Sequence, residues 1–345
     1  MAESAAPQGS TPSNRTWPRH VFVLRAGAIG DFILTLPALA ALRHAFPSAR
    51  LTLVGNPRAA PLALRVGYAD AVHSVDEAWV ARLFGASLDL PTDVRGHLAG
   101  VDLAVVWLRS PDGPIAASLR SLGVRTLAAP SFPAPDARLH VADHLRSTLL
   151  PLGIQPGEAR PRLDLTARDR ALADVLWRRH GLGGPAPVVA VHPGSGGPRK
   201  NWPPERFAAV ADRLAEAGAR VLLVAGPADE GPAEEVRRLT RLARPVDVRG
   251  ADLVELAAVL ARCAGFVGND SGISHLAAAV GTPTVAIFGP TDPAVWAPRG
   301  ERVTVLWKGV DCSPCGREAA LACSDRRCLG LVGVDEVARA VEALL

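Results

Sequence analysis

Sulfur and aromatic residues are scarce in this chain: among 345 residues there are one Met, one Tyr and five Cys, and aromatics make up 5%. An odd, small number of cysteines in so long a chain argues against a disulfide framework. Also missing is any run of about 18 uncharged apolar residues, so no membrane-spanning helix is expected. Residues 1–16, MAESAAPQGSTPSNRT, lack the apolar segment of a secretory signal. Residues 1–17 read as a disordered tail, and the expected compartment is the cytoplasm. Neither sign of charge dominates: 38 Lys and Arg against 34 Asp and Glu leave +4. The charges are scattered, which favours anionic ligands or a membrane surface only mildly, and no nucleic-acid partner is expected.

What is present is a repeated grammar of short apolar strands and helical stripes. Strands are expected at 20–26, 50–55, 71–75, 102–108 and 124–130. A second set follows at 188–194, 220–226, 245–250, 265–270, 284–289 and 302–307. Continuous apolar strands separated by helices indicate parallel sheets covered on both faces. Helix signals are explicit. Phe207, Val210, Ala211 and Leu214 form one stripe after Pro203 and Pro204. Asp252 and Glu255 have capping-box spacing, and VDEVARAVEALL sets Val334, Val337, Ala338, Val341 and Leu345 on one face. Pro37 requires a kink in the first helix or a restart with Thr35 as N-cap. The fold class is α/β, with two Rossmann-like domains whose parallel sheets face a central cleft. The first spans 18–160 and the second 161–330, joined near 156–169, and residues 331–345 form a C-terminal helix. The cleft is the expected ligand site.

Three stretches carry chemistry. In FVGNDSGISHLAAAVGTPTVAIFG (266–289), a strand ends at Asn269-Asp270 and a helix starts after Ser271-Gly272. Backbone N–H groups from Ser271 to Ser274 would make an anion site, with His275 adding a donor. Asp270 suits sugar hydroxyls rather than the same phosphate. Plain helix capping explains several of these residues as well. In HPGSGGPRKNWP (192–203), glycines permit close backbone approach, and Arg199 and Lys200 suit a diphosphate. The Walker order is absent. In RAGAIGDFILTLPAL, Asp31 stands where a phosphate loop would avoid an acid. It suits a general base for an acceptor hydroxyl, or a cap for the following helix.

In order and combination these three stretches resemble glycosyltransferase family 9, the bacterial heptosyltransferases of lipopolysaccharide core assembly, over roughly residues 20–345. The resemblance implies a GT-B architecture and an inverting transfer that needs no cofactor or metal. The co-substrate it implies is a nucleotide-diphospho-sugar, ADP-heptose or a related sugar, and the acceptor is a lipid-linked or core oligosaccharide met at the inner membrane face. It implies Asp31 as catalytic base and Lys200 as donor contact. Asp270 would hold the donor sugar, while Ser271, Gly272, Ser274 and His275 line the diphosphate site. Gly194, Ser195 and Arg199 belong to the same donor loop. In GPADE (226–230) an acid would hold the ribose, with Asp229 and Glu230 both open. Arg25, Gly30, Arg109 and Arg120 are acceptor-side candidates, with Arg125 and the run RLHVADH (138–144) beside them.

Other classes fit less well. A nicotinamide dehydrogenase would need a Gly-x-Gly-x-x-Gly turn, which is absent. A catalytically silent sugar-nucleotide-binding protein would carry the same site without turnover. Finally, Cys312, Cys315, Cys323 and Cys328 have spacings compatible with structural zinc, although the helical look of GREAALA suits reduced thiols.

Overall fold

Every one of the eleven expected strands forms. The computed structural model describes residues 17–85 and 90–345. Of the expected tail, residues 1–16 lie outside the described residues, whereas Trp17 sets its ring edge against Phe46 at 5.9 Å. The first sheet contains β1 (His20–Arg25), β2 (Arg50–Gly55), β3 (Ala71–Ser74), β4 (Leu103–Leu108) and β5 (Arg125–Pro130). Their order is β3-β2-β1-β4-β5. The second contains β6 (Val188–His192), β7 (Arg220–Ala225), β8 (Val246–Arg249), β9 (Gly265–Asn269), β10 (Thr284–Ile287) and β11 (Val303–Leu306). Their order is β11-β10-β9-β6-β7-β8.

All strand pairs are parallel, as continuous apolar runs such as β6, buried throughout, require. In each order the sequence reverses direction beside the first strand, and the carboxyl ends at that reversal are where such sheets take ligands. Helices cover both faces. One apolar cluster packs residues of both domains together, from Phe32 and Leu39 to Leu256 and Leu276.

The helix signals hold except at the C-terminus, where the expected helix 331–345 shortens to Val334–Glu342 and Leu345 lies beyond its end, half exposed. Helix Pro204–Glu216 buries Phe207, Val210, Ala211 and Leu214. Asp252 accepts from Val254 and Glu255 N–H at 2.8 Å each, and Glu255 accepts from Asp252 N–H at 3.1 Å. Pro37 resolves as a restart: helix Ile29–Ile33 ends, and Leu36–Ala45 begins with Thr35 at the N-cap. The Thr35 hydroxyl does not cap; it donates to Asp31 O at 2.8 Å and accepts from Arg25 Nε at 3.2 Å. Helix Val334–Glu342 buries Val337, Ala338 and Val341 in the core of the second sheet. No described helix is long and apolar enough to cross a membrane.

The domains are clasped beside the cleft. Arg299 holds Asp143 with two bonds, at 2.8 and 2.5 Å. His140 accepts from Ala142 N–H through Nδ1, so its Nε2–H donates to Ala297 O at 2.9 Å. Burial lowers the His140 pKa, keeping it neutral in that role. The run 138–144, expected on the acceptor side, thus supplies this clasp through His140 and Asp143.

Candidate active site

A cavity of about 170 Å³ opens between the domains. Its walls are the loops after strand carboxyl ends: Ala28, Ile29 and Gly30 after β1, Arg58 after β2, His192 and Ser195 from β6, Asp229 after β7, and Ser271 to Ile273 after β9. Strand ends converge there because parallel sheets place their connections at that edge.

The loop 192–203 is held rigidly at both ends by one side chain. Asn269 is fully buried; its amide donates to Pro193 O at 2.8 Å, and its Oδ1 accepts from Trp202 N–H at 2.8 Å. Trp202 is itself buried, with its indole N–H on Val332 O at 3.0 Å. Within the loop, Ser195 Oγ lies 2.6 Å from both Gly197 O and Asn201 Oδ1. These anchors fix Lys200, whose Nζ is 2.7 Å from Asp270 Oδ2. Thr291 donates to that same carboxylate. Asp270 therefore points Lys200 at the end of β9, where the next helix begins.

That helix, Gly272–Ala279, is N-capped by Ser271, whose Oγ accepts from Ser274 N–H at 3.3 Å. Ser274 turns inward and donates to Asn269 O at 2.5 Å, so its hydroxyl serves the strand–helix turn rather than the cavity. His275 is buried, and burial lowers its pKa to about 4 against the opposing pull of Asp270. Its Nδ1 is buried without a partner.

Opposite stands the short helix Ile29–Ile33. Asp31 is its third residue, and Asp31 Oδ2 accepts from Ala28 N–H at 3.0 Å. The capping role is thus real, and it fixes the carboxylate at the helix start. Asp31 does not itself line the cavity; its neighbours Ile29 and Gly30 do. Beneath it lies Arg25, only 2% exposed. Burial lowers the Arg25 pKa while the Asp31 charge opposes that shift. Arg25 and Arg109 both set their guanidinium groups over the Phe132 ring, at 5.1 and 5.5 Å.

Other expected residues fall elsewhere. Arg199 donates to Cys323 O and lines the cavity of the cysteines instead of the cleft. Glu230 is exposed on the outer side of its turn, whereas Asp229 faces the cleft cavity and is 9% exposed. A Cβ on Gly194 would fall 2.0 Å from Asp229 Oδ1, so only glycine permits that approach. Arg120 is exposed in the last turn of helix Pro114–Ser121. Arg125 opens β5, at the opposite edge of the sheet from the cleft. The four cysteines share one cavity of about 260 Å³. Among the described residues, however, no group of three or more His, Cys, Asp or Glu is placed to hold a metal ion.

Sequence reasoning passed over His192, although it opens a quoted motif. It is 1% exposed, with Nε2 3.2 Å from Asp229 Oδ2 and Nδ1 3.3 Å from Ser271 Oγ. Its position as the last residue of an otherwise apolar strand was the available signal. Arg58 and Phe132 were missed too, and neither lies in a recognisable motif.

Two Rossmann-like domains with helix N-termini facing across a cleft define the GT-B class of glycosyl-transferring fold. Residues 128–323, more than half of the chain, match the family described as Glycosyltransferase family 9 (heptosyltransferase), and the chain belongs to that family. Lipooligosaccharide heptosyltransferase 2 of Haemophilus influenzae is 34% identical over 132 residues, which are 36% of this chain and 37% of that protein. The aligned stretch thus spans little over a third of that relative. Lipopolysaccharide heptosyltransferase 3 of Escherichia coli is 24% identical over 306 residues, 81% of this chain and 85% of that protein. The structure of the E. coli ADP-heptose lps heptosyltransferase II superposes with a TM-score of 0.71 at 19% identity, covering 94% of this chain and 98% of that one. At that identity the likeness establishes the shared fold.

Proposed function

We propose that this protein is an inverting, metal-independent heptosyltransferase that moves a heptose from ADP-heptose to a lipopolysaccharide-core acceptor. The acceptor is lipid-linked, and the enzyme meets it in the cytoplasm at the inner membrane face without inserting. The observation that carries the reading is the pairing of helix starts across one cleft. The turn bearing Asp31 touches the turn bearing Ser271 and Gly272, and Lys200 is fixed beside the latter. The names of the relatives, heptosyltransferases in each case, support the sugar. The name of the superposed structure supports the nucleotide.

In this mechanism Asp31 takes the proton of the acceptor hydroxyl as that oxygen forms its bond to the anomeric carbon. The bond from that carbon to the diphosphate oxygen breaks on the opposite face, and the electron pair leaves with ADP. Negative charge grows on the leaving diphosphate, which in this reading is stabilised by the N–H groups at the start of helix Gly272–Ala279 and by the Lys200 cation held on Asp270. Asp229 holds the ribose, and Asp270 the donor sugar. Arg109, stacked on Phe132, holds an anionic group of the acceptor, while the buried Arg25 supports the same ring from beneath.

Incubation with labelled ADP-heptose, with and without a core-oligosaccharide acceptor, tests this. Transfer with inversion is expected, with slow hydrolysis in the absence of acceptor. Donor binding with neither transfer nor hydrolysis would make the protein a silent binding module.

A further inference from the structure

A second cavity, of about 590 Å³, opens away from the cleft, at the amino edge of the first sheet. Trp17 and Pro18, just before β1, and Arg125, the first residue of β5, mark that edge. The stretch that leads into the connection between the domains supplies one wall through Leu152, Ile154 and Arg160. No feature of the transfer mechanism uses it.

The cavity has two chemically distinct parts. Its floor is apolar, made by Leu36, Ala40 and Phe46 of the helix Leu36–Ala45 and its end, with Ile154 opposite. Its rim carries Arg125, Arg146, Arg160 and Arg162. Of the carboxylates on this cavity's wall, Glu158 pairs with Arg160 at 2.7 Å. Among the described residues neither Arg125 nor Arg162 has an ion pair. Arg146 donates to Gln155 O at 2.9 Å, yet its Nε is buried without a partner. At the mouth, Trp17 is 66% exposed while its edge rests on Phe46. An apolar floor, a cationic rim and an exposed indole together match the boundary of a bilayer, where Trp and Arg prefer to lie.

We infer that this groove docks the protein on an anionic bilayer, taking one acyl chain on its floor and the lipid phosphate on its arginine rim. The volume suits a single small amphiphile. The chain's own first residues are a poor match: residues 1–16 contain no Leu, Ile, Val, Phe or Trp, and their one acid, Glu3, is balanced by Arg15. The inference rests on the peripheral-contact part of the proposed function and not on the transfer chemistry.

Cosedimentation of the full chain with phosphatidylcholine vesicles, with and without phosphatidylglycerol, tests it. Binding to the anionic vesicles only is expected, weakening as salt rises. The double variant Arg125→Glu/Arg162→Glu should bind at least about tenfold more weakly. Ala40→Glu, which charges the floor, should abolish the residual binding. Thermal midpoints within a few degrees of the parent show that the variants fold. Indifference of the parent to anionic vesicles overturns the inference, as does equal binding by the variants. Binding that appears only after removal of residues 1–16 would make the tail the occupant. Dimerisation lost in the same variants would make it a second copy; either result also overturns the inference. ADP-heptose hydrolysis measured in solution without vesicles shows separately whether the transferase reading stands.

Discussion

A Cβ placed on Gly272 would stand 2.7 Å from Ile29 Cβ and 2.9 Å from Gly30 N. The two domains therefore touch backbone to side chain at the point where the proposed base and the anion-binding turn meet. Gly30 shows the same closeness from the other side, since a Cβ there would lie 3.1 Å from the His275 ring. The substitution Gly272→Ala should wedge the helix starts apart, at a stability cost of about 1–3 kcal/mol. Transfer should fall far more than stability, because a reacting pair misplaced by about 1 Å loses on the order of a hundredfold. Turnover at the parent rate in a folded Gly272→Ala would show that this contact is not held during the reaction.

Asp31→Asn keeps an oxygen for the Ala28 N–H and so preserves the helix cap. Loss of the base alone should reduce kcat by about a hundredfold or more. Donor affinity, read by titration with ADP, should stay the same. A variant that unfolds or loses ADP binding would place Asp31 in structure rather than in proton transfer.

The fold was legible because most strands are short, apolar and bounded by turn residues, and such runs are ambiguous only when a buried helix competes. The imide chemistry of Pro37 required either a kink or a restart, and the structure shows the restart. The sequence brought Lys200, Asp270 and Ser271 to notice through their motifs, and the structure sets Lys200 on Asp270 with Ser271 capping the next helix. The site was obscure where a side chain's job depends on what lies beyond its own loop. Arg199 looks like a phosphate ligand beside Lys200, yet the chain returns more than a hundred residues later to set Cys323 O on its guanidinium. Ser274 looks like a cavity donor, but helical geometry turns it inward to Asn269 O. Asp229 and Glu230 are indistinguishable in sequence, and only the close pass of Gly194 separates them. The run 138–144 looked like an acceptor surface because its basic residues are visible, whereas its partners Ala297 and Arg299 are distant in sequence.

His192 joins Asp229 to Ser271 and so fixes two groups of the proposed donor site at once. In the neutral ring with Nε2 protonated, Asp229 receives the N–H and the Ser271 hydroxyl donates to Nδ1. His192→Phe removes both bonds and should weaken donor binding by about tenfold. His192→Gln can restore the reach to Asp229 and should recover part of that loss. The effect should appear mainly in KM, since neither bond touches the reacting carbon. Equal KM in His192→Phe and the parent would show that Asp229 and Ser271 hold their places unaided.

Lys200→Ala removes the cation proposed to meet the leaving diphosphate and leaves Asp270 with Thr291 alone. The expected loss in kcat is about a hundred- to a thousandfold, the range for a preorganised charge-stabilising donor. Lys200→Arg should recover less than a full charge would suggest, because its planar fork does not fit a point contact. A purely structural lysine would show instead a falling thermal midpoint with kcat preserved.

His275 couples this same turn to pH. In the unfolded chain its pKa is near the ordinary 6.5, and burial lowers it to about 4 in the folded protein. Above both values the imidazole is neutral in either state and contributes no pH dependence. Between them the unfolded chain binds a proton that the folded chain refuses, so stability declines as pH falls through that window. The loss attributable to His275 from about pH 7 to about pH 5 is on the order of 2 kcal/mol. Urea unfolding of the parent and of His275→Gln at both pH values isolates it, because the other titrating groups, His140 included, are common to the two proteins. The parent should lose more stability than the variant over that interval. Parallel losses would mean that His275 gains its proton as readily in the folded protein as in the unfolded chain, and that its burial does not lower its pKa.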